Sequence, residues 1–399
     1  MMDPIVIAGA GPVGCSAALY LAEHGLPIIL LEAETVLPKD LRASTFHPPT
    51  LDQLAKLGLV DEMIKQGLIV SDYQYRDRKT NEVAKFDLSV LEGETHHPYR
   101  LQCEQFKMTS IVVERLKKFS NVEVRMGCKL KGYRETSNGV EVLVLDNHSE
   151  ERIRSSYLIG CDGANSNVRQ TGGICFEGMT YPEQFLVAST SYKFNDYFDG
   201  LSMVNYVSDP DEWCVLLSTS DLWRVLIPTP IGGDSDIFLS DKFIQDRLHR
   251  LVEHDEGFDI VHRTLYHVHQ RVAETYRVRD RVLIAGDAAH VNNPLGGMGM
   301  NGGVHDAINL SEKLIEIILG RGDRDELLDL YNRQRRGICT KFIQKHTKKN
   351  KELMESTDTD VQRRRQENFM KKSADPSLAK AFVMETSMIN CLRESYEIQ

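Results

Sequence analysis

Two glycine-rich stretches of the chain are each accompanied by a carboxylate next to an apolar run. The first reads GAGPVG at residues 9–14, and Glu32 closes the next apolar run. The second starts with Asp287 and includes the run GGMGMNGG at residues 296–303. Glycine leaves backbone N–H groups open to an anion, most effectively at a helix N-terminus, and a carboxylate accepts hydrogen bonds from sugar hydroxyls. Both stretches therefore predict recognition of a ligand with phosphate and sugar groups.

The first stretch is predicted to lie inside a βαβ unit. Residues 5–8 read as a strand, the next segment as a helix with small apolar residues on one face, and residues 28–31 as a second strand. Gly9 permits the tight turn, Gly11 admits a pyrophosphate to the helix N-terminus, and Gly14 lets the helix approach the strand. This arrangement is typical of a dinucleotide-binding domain.

The second stretch follows the strand-like run VLI at residues 282–284. Asp287 suits the hydroxyls of a ribityl or ribose chain, and the glycines after it allow main chain to lie against a flat ring. A helix is predicted to start near Asn301. Its positive end would stabilise an anion by roughly 0.3 to 1 kcal/mol.

The composition limits the classes of function. A chain of 399 residues is long enough for two domains. Its net charge of −10 provides no basic surface for a nucleic acid, and no window reaches the roughly 18 apolar residues of a membrane span. Eight cysteines without CxxC spacing indicate free thiols, and neither a disulfide framework nor a metal site. We therefore predict a cytoplasmic protein with no metal, nucleic acid or membrane as a partner.

The rest of the pattern predicts an α/β fold with antiparallel insertions. Alternating strands flank the turn at Asn138 and Gly139, and another strand delivers Asp162 at its end. A β-rich block runs from residue 185 to residue 228, and the chain after Asp287 is helical and charged.

Three stretches resemble, in order and spacing, the fingerprints of the single-component (class A) FAD-dependent aromatic hydroxylases, the group of para-hydroxybenzoate hydroxylase. They are GAGPVG at residues 9–14, CDGANSNVR at 161–169 and AGDAAHVNNPLGGMGMNGG at 285–303. Within this group, shorter stretches are similar to the 4-nitrophenol 4-monooxygenases: RASTFHPPT at 42–50, LWRV at 222–225 and HQRVAE at 269–274.

The resemblance implies a Rossmann-like FAD-binding domain with an interleaved antiparallel β-sheet substrate domain and a C-terminal helical cap. The FAD-binding domain is expected in three parts, at residues 1–70, 111–180 with a β-hairpin insertion, and 276–335. The substrate domain is expected at residues 181–275 with a connecting segment at 71–110, and the C-terminal helices at 336–399.

The resemblance also assigns residues to noncovalent FAD. The ADP half is expected on Gly9, Gly11, Pro12, Val13, Gly14, Glu32 and Ala33, and the diphosphate and ribityl region on Arg42 and Gln105. The second fingerprint is expected to touch FAD and to help accommodate NAD(P)H through Asp162, Gly163 and Arg169. The ribityl chain and ring are expected on Asp287, Pro294, Gly297, Gly299, Met300 and Asn301. Ala33 and Glu34 come directly after Glu32, so no arginine stands where chains of the resembled group handle a 2′-phosphate, and the choice between NADH and NADPH stays open.

The activity implied is hydroxylation of a phenol by NAD(P)H and dioxygen through a flavin C4a-hydroperoxide. Such a site needs a hydrogen-bond acceptor or base for the phenol and must exclude water. The predicted catalytic residues are His47 and Pro294, and the predicted substrate contacts are His47, Tyr206, Trp223 and Arg224. A surface histidine is the alternative for His47, and plain core packing is the alternative for the two aromatic residues. Arg224 is the only arginine between residues 185 and 246, which predicts uncharged substituents on the phenol.

Two other functions fit the same fold. A flavin-dependent halogenase carries a WxWxIP signature, which WRVLIP at residues 223–228 echoes with a valine in place of the second tryptophan. A flavin redox sensor without turnover is the other alternative. The expected partners are a small aromatic substrate, dioxygen and NAD(P)H, in a monomer or homodimer.

Overall fold

The computed structural model describes residues 2–39, 41, 43–146, 149–209 and 211–399. Its strands are β1 (Ile5–Ala8), β2 (Ile28–Glu32), β3 (Thr45–Phe46), β4 (Leu68–Val70), β5 (Asp72–Asp77), β6 (Val83–Asp87), β7 (Arg100–Gln102), β8 (Val122–Met126), β9 (Cys128–Thr136), β10 (Gly139–Asp146), β11 (Ser149–Ser155), β12 (Tyr157–Gly160), β13 (Phe176–Thr190), β14 (Val204–Ser208), β15 (Cys214–Ser218), β16 (Trp223–Pro228), β17 (Ile260–Ala273), β18 (Val282–Ile284) and β19 (His290–Val291). Its α-helices are α1 (Pro12–Glu23), α2 (Pro48–Lys56), α3 (Val60–Gln66), α4 (Gln105–Leu116), α5 (Asn167–Thr171), α6 (Ser235–Phe238), α7 (Asp241–Leu251), α8 (Met298–Ile318), α9 (Arg324–Ile338), α10 (Gln344–Glu355), α11 (Thr359–Ala374), α12 (Pro376–Thr386) and α13 (Ile389–Glu397).

A five-stranded parallel sheet in the order β18-β12-β1-β2-β8 forms the first layer. Strands β1, β12 and β18 are continuous buried runs, as expected for a parallel sheet covered by helices such as α1 and α5. The predicted βαβ unit is confirmed: β1 has the predicted bounds, and β2 ends at Glu32. Because parallel strands share one carboxyl edge, Gly9, Glu32, Cys161 and Ala285 lie along the same crevice.

An eight-stranded sheet in the order β19-β17-β13-β16-β15-β14-β5-β6 forms the second layer. It separates two apolar clusters. We call inner face the side with Tyr73, Tyr206 and Leu226, which packs against Leu295 and the C-terminal helices. We call outer face the side with Trp223, which packs against α7. The interleaved sheet is therefore confirmed, and its pairings are antiparallel except one, because β5 joins β14 in parallel and extends the sheet, together with β6, with residues from early in the chain.

Two small sheets complete the fold. Strands β9, β10 and β11 form an antiparallel meander whose first turn is Ser137 and Asn138, one residue earlier than predicted, because Gly139 already pairs with Thr136 as the first residue of β10. Strands β3, β7 and β4 form the other sheet, in which Thr45 pairs with Gln102. This pairing brings the segment that contains His47 next to the strand that contains Arg100.

The C-terminal part of the described chain is helical, as predicted. Helix α8 starts at Met298, ahead of the predicted start near Asn301, because Gly297 adopts a φ of 65° and forms the N-cap. A π-helical segment, Cys339–Ile343, joins α9 to α10. In the ranges that the structure describes, no helix is long and apolar enough to cross a membrane.

Candidate active site

The turn after β1 is built from three glycines with different steric needs. Gly9 has a φ of 101°, and a Cβ there would lie 2.4 Å from the Cys161 carbonyl oxygen. A Cβ on Gly14 would lie 1.9 Å from the Gly9 carbonyl oxygen. A Cβ on Gly11 would meet no described atom within 4 Å. Gly9 and Gly14 are therefore required by the protein itself, whereas Gly11 leaves open space for a ligand.

Glu32 is held beside this turn. Its carboxylate accepts hydrogen bonds from the backbone N–H groups of Ala10 at 2.9 Å and Glu34 at 3.0 Å. Pro12 occupies the first turn of α1, where no side chain caps the helix, and Ala33 is exposed. The end of β2 thus presents a fixed carboxylate next to an uncapped helix N-terminus, which suits a ribose and a diphosphate.

The second fingerprint joins the first to the third. Asp162 accepts a hydrogen bond from Val168 N at 3.1 Å, and its other carboxylate oxygen is buried without a partner among the described residues. Burial raises the pKa of Asp162. Arg169 donates to the carbonyl oxygens of Ala164 at 2.7 Å and Ala288 at 2.8 Å. Arg169 therefore clamps the turn at Gly163 to the turn that carries Asp287.

Val13 is the contact between α1 and the third fingerprint. A Cβ on Gly286 would lie 2.7 Å from the Val13 side chain, and a Cβ on Gly303 would lie 2.6 Å from it. Asp287 is exposed on the adjacent turn. The three motifs, which are far apart in the sequence, therefore meet at one crevice, with Asp287 at its open side.

The turn at Gly286 and Asp287 is held by a buried charge cluster, which was not predicted from the sequence. Asp306 accepts hydrogen bonds from Gly286 N at 3.2 Å and Arg335 Nε at 2.7 Å, and His290 Nε2 lies 2.7 Å from the same carboxylate. All three side chains are buried. The signal was present in the sequence, because a charged residue within the apolar face of a helix must be paired when buried.

The loop before α8 and the first turn of that helix differ in part from expectation. Pro294 and Met300 are half-buried, and a Cβ on Gly299 would lie 3.3 Å from Asn292 Oδ1. Asn301, expected to face the flavin ring, is fully buried, and its amide donates to the carbonyl oxygens of Thr45 at 2.8 Å and Gly297. The Asn301 side chain therefore joins β3 to α8 and is not available to a ligand.

His47 lies in the interior next to this loop. It is fully buried, so the alternative of a surface histidine is wrong. Its Nε2 lies 2.8 Å from the Gly296 carbonyl oxygen, and a carbonyl only accepts, so Nε2 carries the proton. Nδ1 is buried and has no partner within the described chain. Burial, and then the positive charge of Arg100, lower the pKa of His47 to about 3. The side chain is a neutral imidazole with an available lone pair.

The lowered pKa makes the folding free energy depend on pH. The unfolded state takes up the proton first, so this contribution is complete above the ordinary pKa of 6.5 and is lost as the pH falls from 6.5 toward 3. Because of His47, we expect the free energy of unfolding to be ~2 kcal/mol lower at pH 5 than at pH 8. Urea unfolding of the wild type and of His47→Gln at both pH values measures this difference. Equal pH dependence in the two proteins would contradict the assignment.

Arg100 is the cation beside His47, and it too is buried. Its guanidinium lies 4.1 Å above the ring of Tyr73. Among the described residues, no carboxylate forms an ion pair with it, and its Nε has no hydrogen-bond partner. A buried cation without an anion is costly, so this position favours an anionic ligand.

The residues predicted to line the substrate pocket do not all lie on the same side. Tyr206 is on the inner face, with its ring stacked on Tyr75 at 4.8 Å. Arg224 is two positions from Leu226 of the inner face, and its Nη1 donates to Ser44 Oγ at 3.1 Å. Trp223 packs against Phe194 on the outer face, so the structure does not bring it to the pocket.

Two predicted residues remain: Arg42, in the segment between β2 and β3, and Gln105, which follows β7. Gln105 is half-buried at the start of α4, and its backbone N–H donates to Ala43 O at 2.9 Å. Arg42 lies outside the described residues. The structure thus brings Gln105 to the segment that precedes His47, where a cofactor crossing from Glu32 to Asp287 would pass.

These features fit a dinucleotide with a flat ring. Gly11 leaves room for a diphosphate, one Asp162 oxygen has no partner among the described residues and is available to a hydroxyl, and α8 has Gly297 as its N-cap, without a side-chain cap. The uncapped N-terminus of a helix stabilises negative charge on a ligand. The residues present therefore fit FAD.

Comparisons with known proteins show the family to which this chain belongs. The family model described as FAD binding domain matches residues 2–346. The para-nitrophenol 4-monooxygenase of Pseudomonas sp. (strain WBC-3) is 32% identical over 98% of this chain and 96% of that protein. The 6-hydroxy-3-succinoylpyridine 3-monooxygenase HspB of Pseudomonas putida (strain DSM 28022 / S16) is 32% identical over 86% of each.

A solved structure is similar over the whole fold. The p-nitrophenol 4-monooxygenase PnpA from Pseudomonas putida DLL-E4 superposes with a TM-score of 0.91 and 30% identity, over 98% of both chains. The halogenase and redox-sensor alternatives are not favoured by these relatives, which are named as monooxygenases. The chain belongs to the FAD-binding family of flavin-dependent aromatic monooxygenases.

Proposed function

We propose that this monooxygenase hydroxylates a phenol whose other ring substituents carry no formal charge, with 4-nitrophenol as the representative substrate. The substrate would bind between the inner face of the large sheet and the loop from Asn292 to Gly297. Two relatives named for nitrophenol support this substrate class. The observation that carries it within this chain is the buried guanidinium of Arg100, which forms no ion pair with a described carboxylate.

Arg100 supplies the charge that favours a phenolate. Its field contributes to the lowered pKa of His47, because it disfavours added positive charge there. The same field favours negative charge on a ligand oxygen at that place, and so lowers the pKa of a bound phenol. A phenolate is electron-rich enough to accept an electrophilic oxygen, so Arg100 would activate the ring as well as bind it.

His47 plays a different part. With a pKa of about 3 it is a weak base, so it is not expected to hold the phenol proton at neutral pH. Its unpartnered Nδ1 is a hydrogen-bond acceptor that orients a neutral phenol before the proton leaves. The Nε2 proton is fixed by Gly296, so the tautomer is set by the loop itself.

The cofactor would lie along the crevice described above, on Gly11, Glu32, Asp162 and Asp287. Bound FAD, reduced by NAD(P)H, supplies the electrons that split dioxygen, so that one oxygen atom enters the ring and the other leaves as water. The protein orients the substrate against the ring and excludes water, since Leu295 and the C-terminal helices pack over the inner face. We also propose that the protein is located in the cytoplasm and is a monomer or a homodimer.

A matched pair of substrates tests the proposal. With purified enzyme, FAD and NAD(P)H, we expect kcat/KM for 4-nitrophenol to exceed that for 4-hydroxybenzoate by at least ~100-fold, because a second negative charge buried without a partner costs several kcal/mol. Product formation is followed together with hydrogen peroxide, so that uncoupled NAD(P)H oxidation is not counted. A higher kcat/KM for the carboxylate, with little peroxide, would overturn the proposal.

A further inference from the structure

The loop from Val291 to Gly296 has its backbone polar groups bound by side chains. Gln344 Nε2 donates to Val291 O at 3.0 Å, and Asn350 Nδ2 donates to Leu295 O at 3.3 Å. Between them, Asn293 N donates to Gln270 Oε1 at 3.1 Å. Buried backbone groups need partners, and here α10 and β17 provide them. The conformation of the loop therefore depends on these side chains.

We call the side chains of Gln270, Asn293, Gln344, Thr347 and Asn350 the polar ladder. Gln270 forms hydrogen bonds with three of the others. Its Oε1 accepts from both the backbone N–H and the side-chain amide of Asn293, each at 3.1 Å. Its Nε2 donates to Gln344 Oε1 at 2.6 Å and to Thr347 Oγ1 at 2.9 Å. Thr347 and Asn293 are fully buried. Loss of the Gln270 amide would leave the buried Asn293 N–H without its acceptor, which costs about 1 to 3 kcal/mol. Loss of the Thr347 hydroxyl would leave Gln270 Nε2 with Gln344 as its acceptor.

Helix α10 is oriented to supply one side of the ladder. Gln344, Thr347 and Asn350 are spaced three residues apart and lie on the same face. The π-helical segment Cys339–Ile343 directly precedes them and shifts the phase of the helix. Lys351 anchors this face to β13, because its ammonium binds Glu183 and lies 4.0 Å above the ring of Tyr181.

The polar ladder and His47 contact the loop at Gly296 from two sides. On one side of Gly296, its carbonyl oxygen accepts a hydrogen bond from His47 Nε2. On the other side, a Cβ on Gly296 would lie 3.1 Å from Asn350 Nδ2. The peptide of Gly296 is thus held between the candidate substrate contact and α10. The family model ends at residue 346, so Thr347 and Asn350 lie beyond it.

We propose that Gln270, Thr347 and Asn350 are positioning residues that fix the loop from Val291 to Gly296 against the flavin ring, and that this keeps NAD(P)H oxidation coupled to hydroxylation. The inference rests on the proposed placement of substrate and flavin on either side of this loop. When the loop shifts, the reduced cofactor still passes two electrons to dioxygen, but both oxygen atoms then leave as hydrogen peroxide and the phenol is unchanged.

Three variants of α10 test this inference in the FAD-loaded enzyme. Thr347→Val keeps the shape and removes the hydroxyl, Thr347→Ser restores it, and Lys348→Ala changes the exposed side of the same helix. We expect Thr347→Val to raise the ratio of peroxide to hydroxylated product about threefold to tenfold, since small displacements have large effects on transfer chemistry. Thr347→Ser and Lys348→Ala should remain close to the wild type.

A second measurement does not depend on turnover. Quenching of the bound flavin's fluorescence by iodide reports exposure of the ring, and we expect the quenching constant to rise about twofold or more in Thr347→Val as the loop loosens. Asn350→Ala, at a half-buried position, replaces this variant if it does not fold. Unchanged quenching and unchanged peroxide in the folded variants overturn the inference. A wild type that binds FAD but hydroxylates no phenol overturns the proposed function instead, and the quenching result still decides the role of the ladder.

Discussion

Arg100→Gln is expected to lower kcat/KM for 4-nitrophenol by about 100-fold, which corresponds to ~2.7 kcal/mol of transition-state stabilisation. Glutamine is close in length and polar, so it fills the space above Tyr73 without the charge. The phenol would then keep a pKa nearer its value in water, and activity would need a higher pH. Steady-state kinetics from pH 6 to pH 9 measure both effects, and the variant's activity should rise toward higher pH more steeply than that of the wild type.

The ionisation of the bound ligand provides a direct readout. The 4-nitrophenolate ion has a visible absorption band that the neutral phenol lacks, so a difference spectrum of the complex reports its charge. We expect phenolate in the wild type and neutral phenol in Arg100→Gln at the same pH. Arg76→Gln is the matched control, because Arg76 is also buried but lies above Phe198, away from the Tyr73 side of β5. Equal spectra for all three proteins would refute the role of Arg100.

Gly14→Ala is expected to abolish FAD binding. The new Cβ would lie 1.9 Å from the Gly9 carbonyl oxygen, a distance that no real contact shows, so the turn must open. Since α1 and β1 form the centre of the parallel layer, the apoprotein should also lose several kcal/mol of unfolding free energy. Visible absorption after purification and thermal unfolding of the apoprotein measure the two losses.

Gly11→Ala separates the two consequences. Its Cβ would meet no described atom within 4 Å, and Gly11 has an ordinary φ of −70°. We expect an apoprotein as stable as the wild type but an FAD dissociation constant raised at least ~10-fold, because the methyl group occupies the space of the diphosphate. Gly257→Ala, in an exposed loop, should change neither quantity. Normal FAD affinity in Gly11→Ala would show that the diphosphate lies elsewhere.

The sequence predicts the parallel layer well because its signals are local. An apolar run, a glycine turn and a carboxylate follow one another within about thirty residues, and each has a steric or electrostatic reason. Alternation in β16 likewise predicts that Trp223 and Val225 share a face. It does not indicate which face meets the cavity, and here that face packs against α7.

The substrate side was harder to predict because tertiary pairing creates it. Arg100 lies in HHPYRLQ, a stretch without periodicity, and it is buried because β7 pairs with β3 and β4. Tyr73 and Tyr75 alternate in DYQYRD, and that pattern was a usable signal for one face of a strand. The internal hydrogen bonds of Asn301 could not be read from its motif, since its partner Thr45 is far away in the sequence.

The order of strands in the parallel layer determines how the chain can fold during synthesis. Ile5 pairs with Tyr157, and Leu158 pairs with Val282, so each contact closes a loop of more than a hundred residues. Such pairings are slow to form, because the entropy of loop closure precedes any gain from contact. Until Val282 leaves the ribosome, β12 has an open edge that is apolar along its whole length. The nascent chain therefore carries an unpaired strand edge, which favours aggregation, until late in synthesis, and the nucleotide site assembled from three distant motifs forms only after that edge is paired.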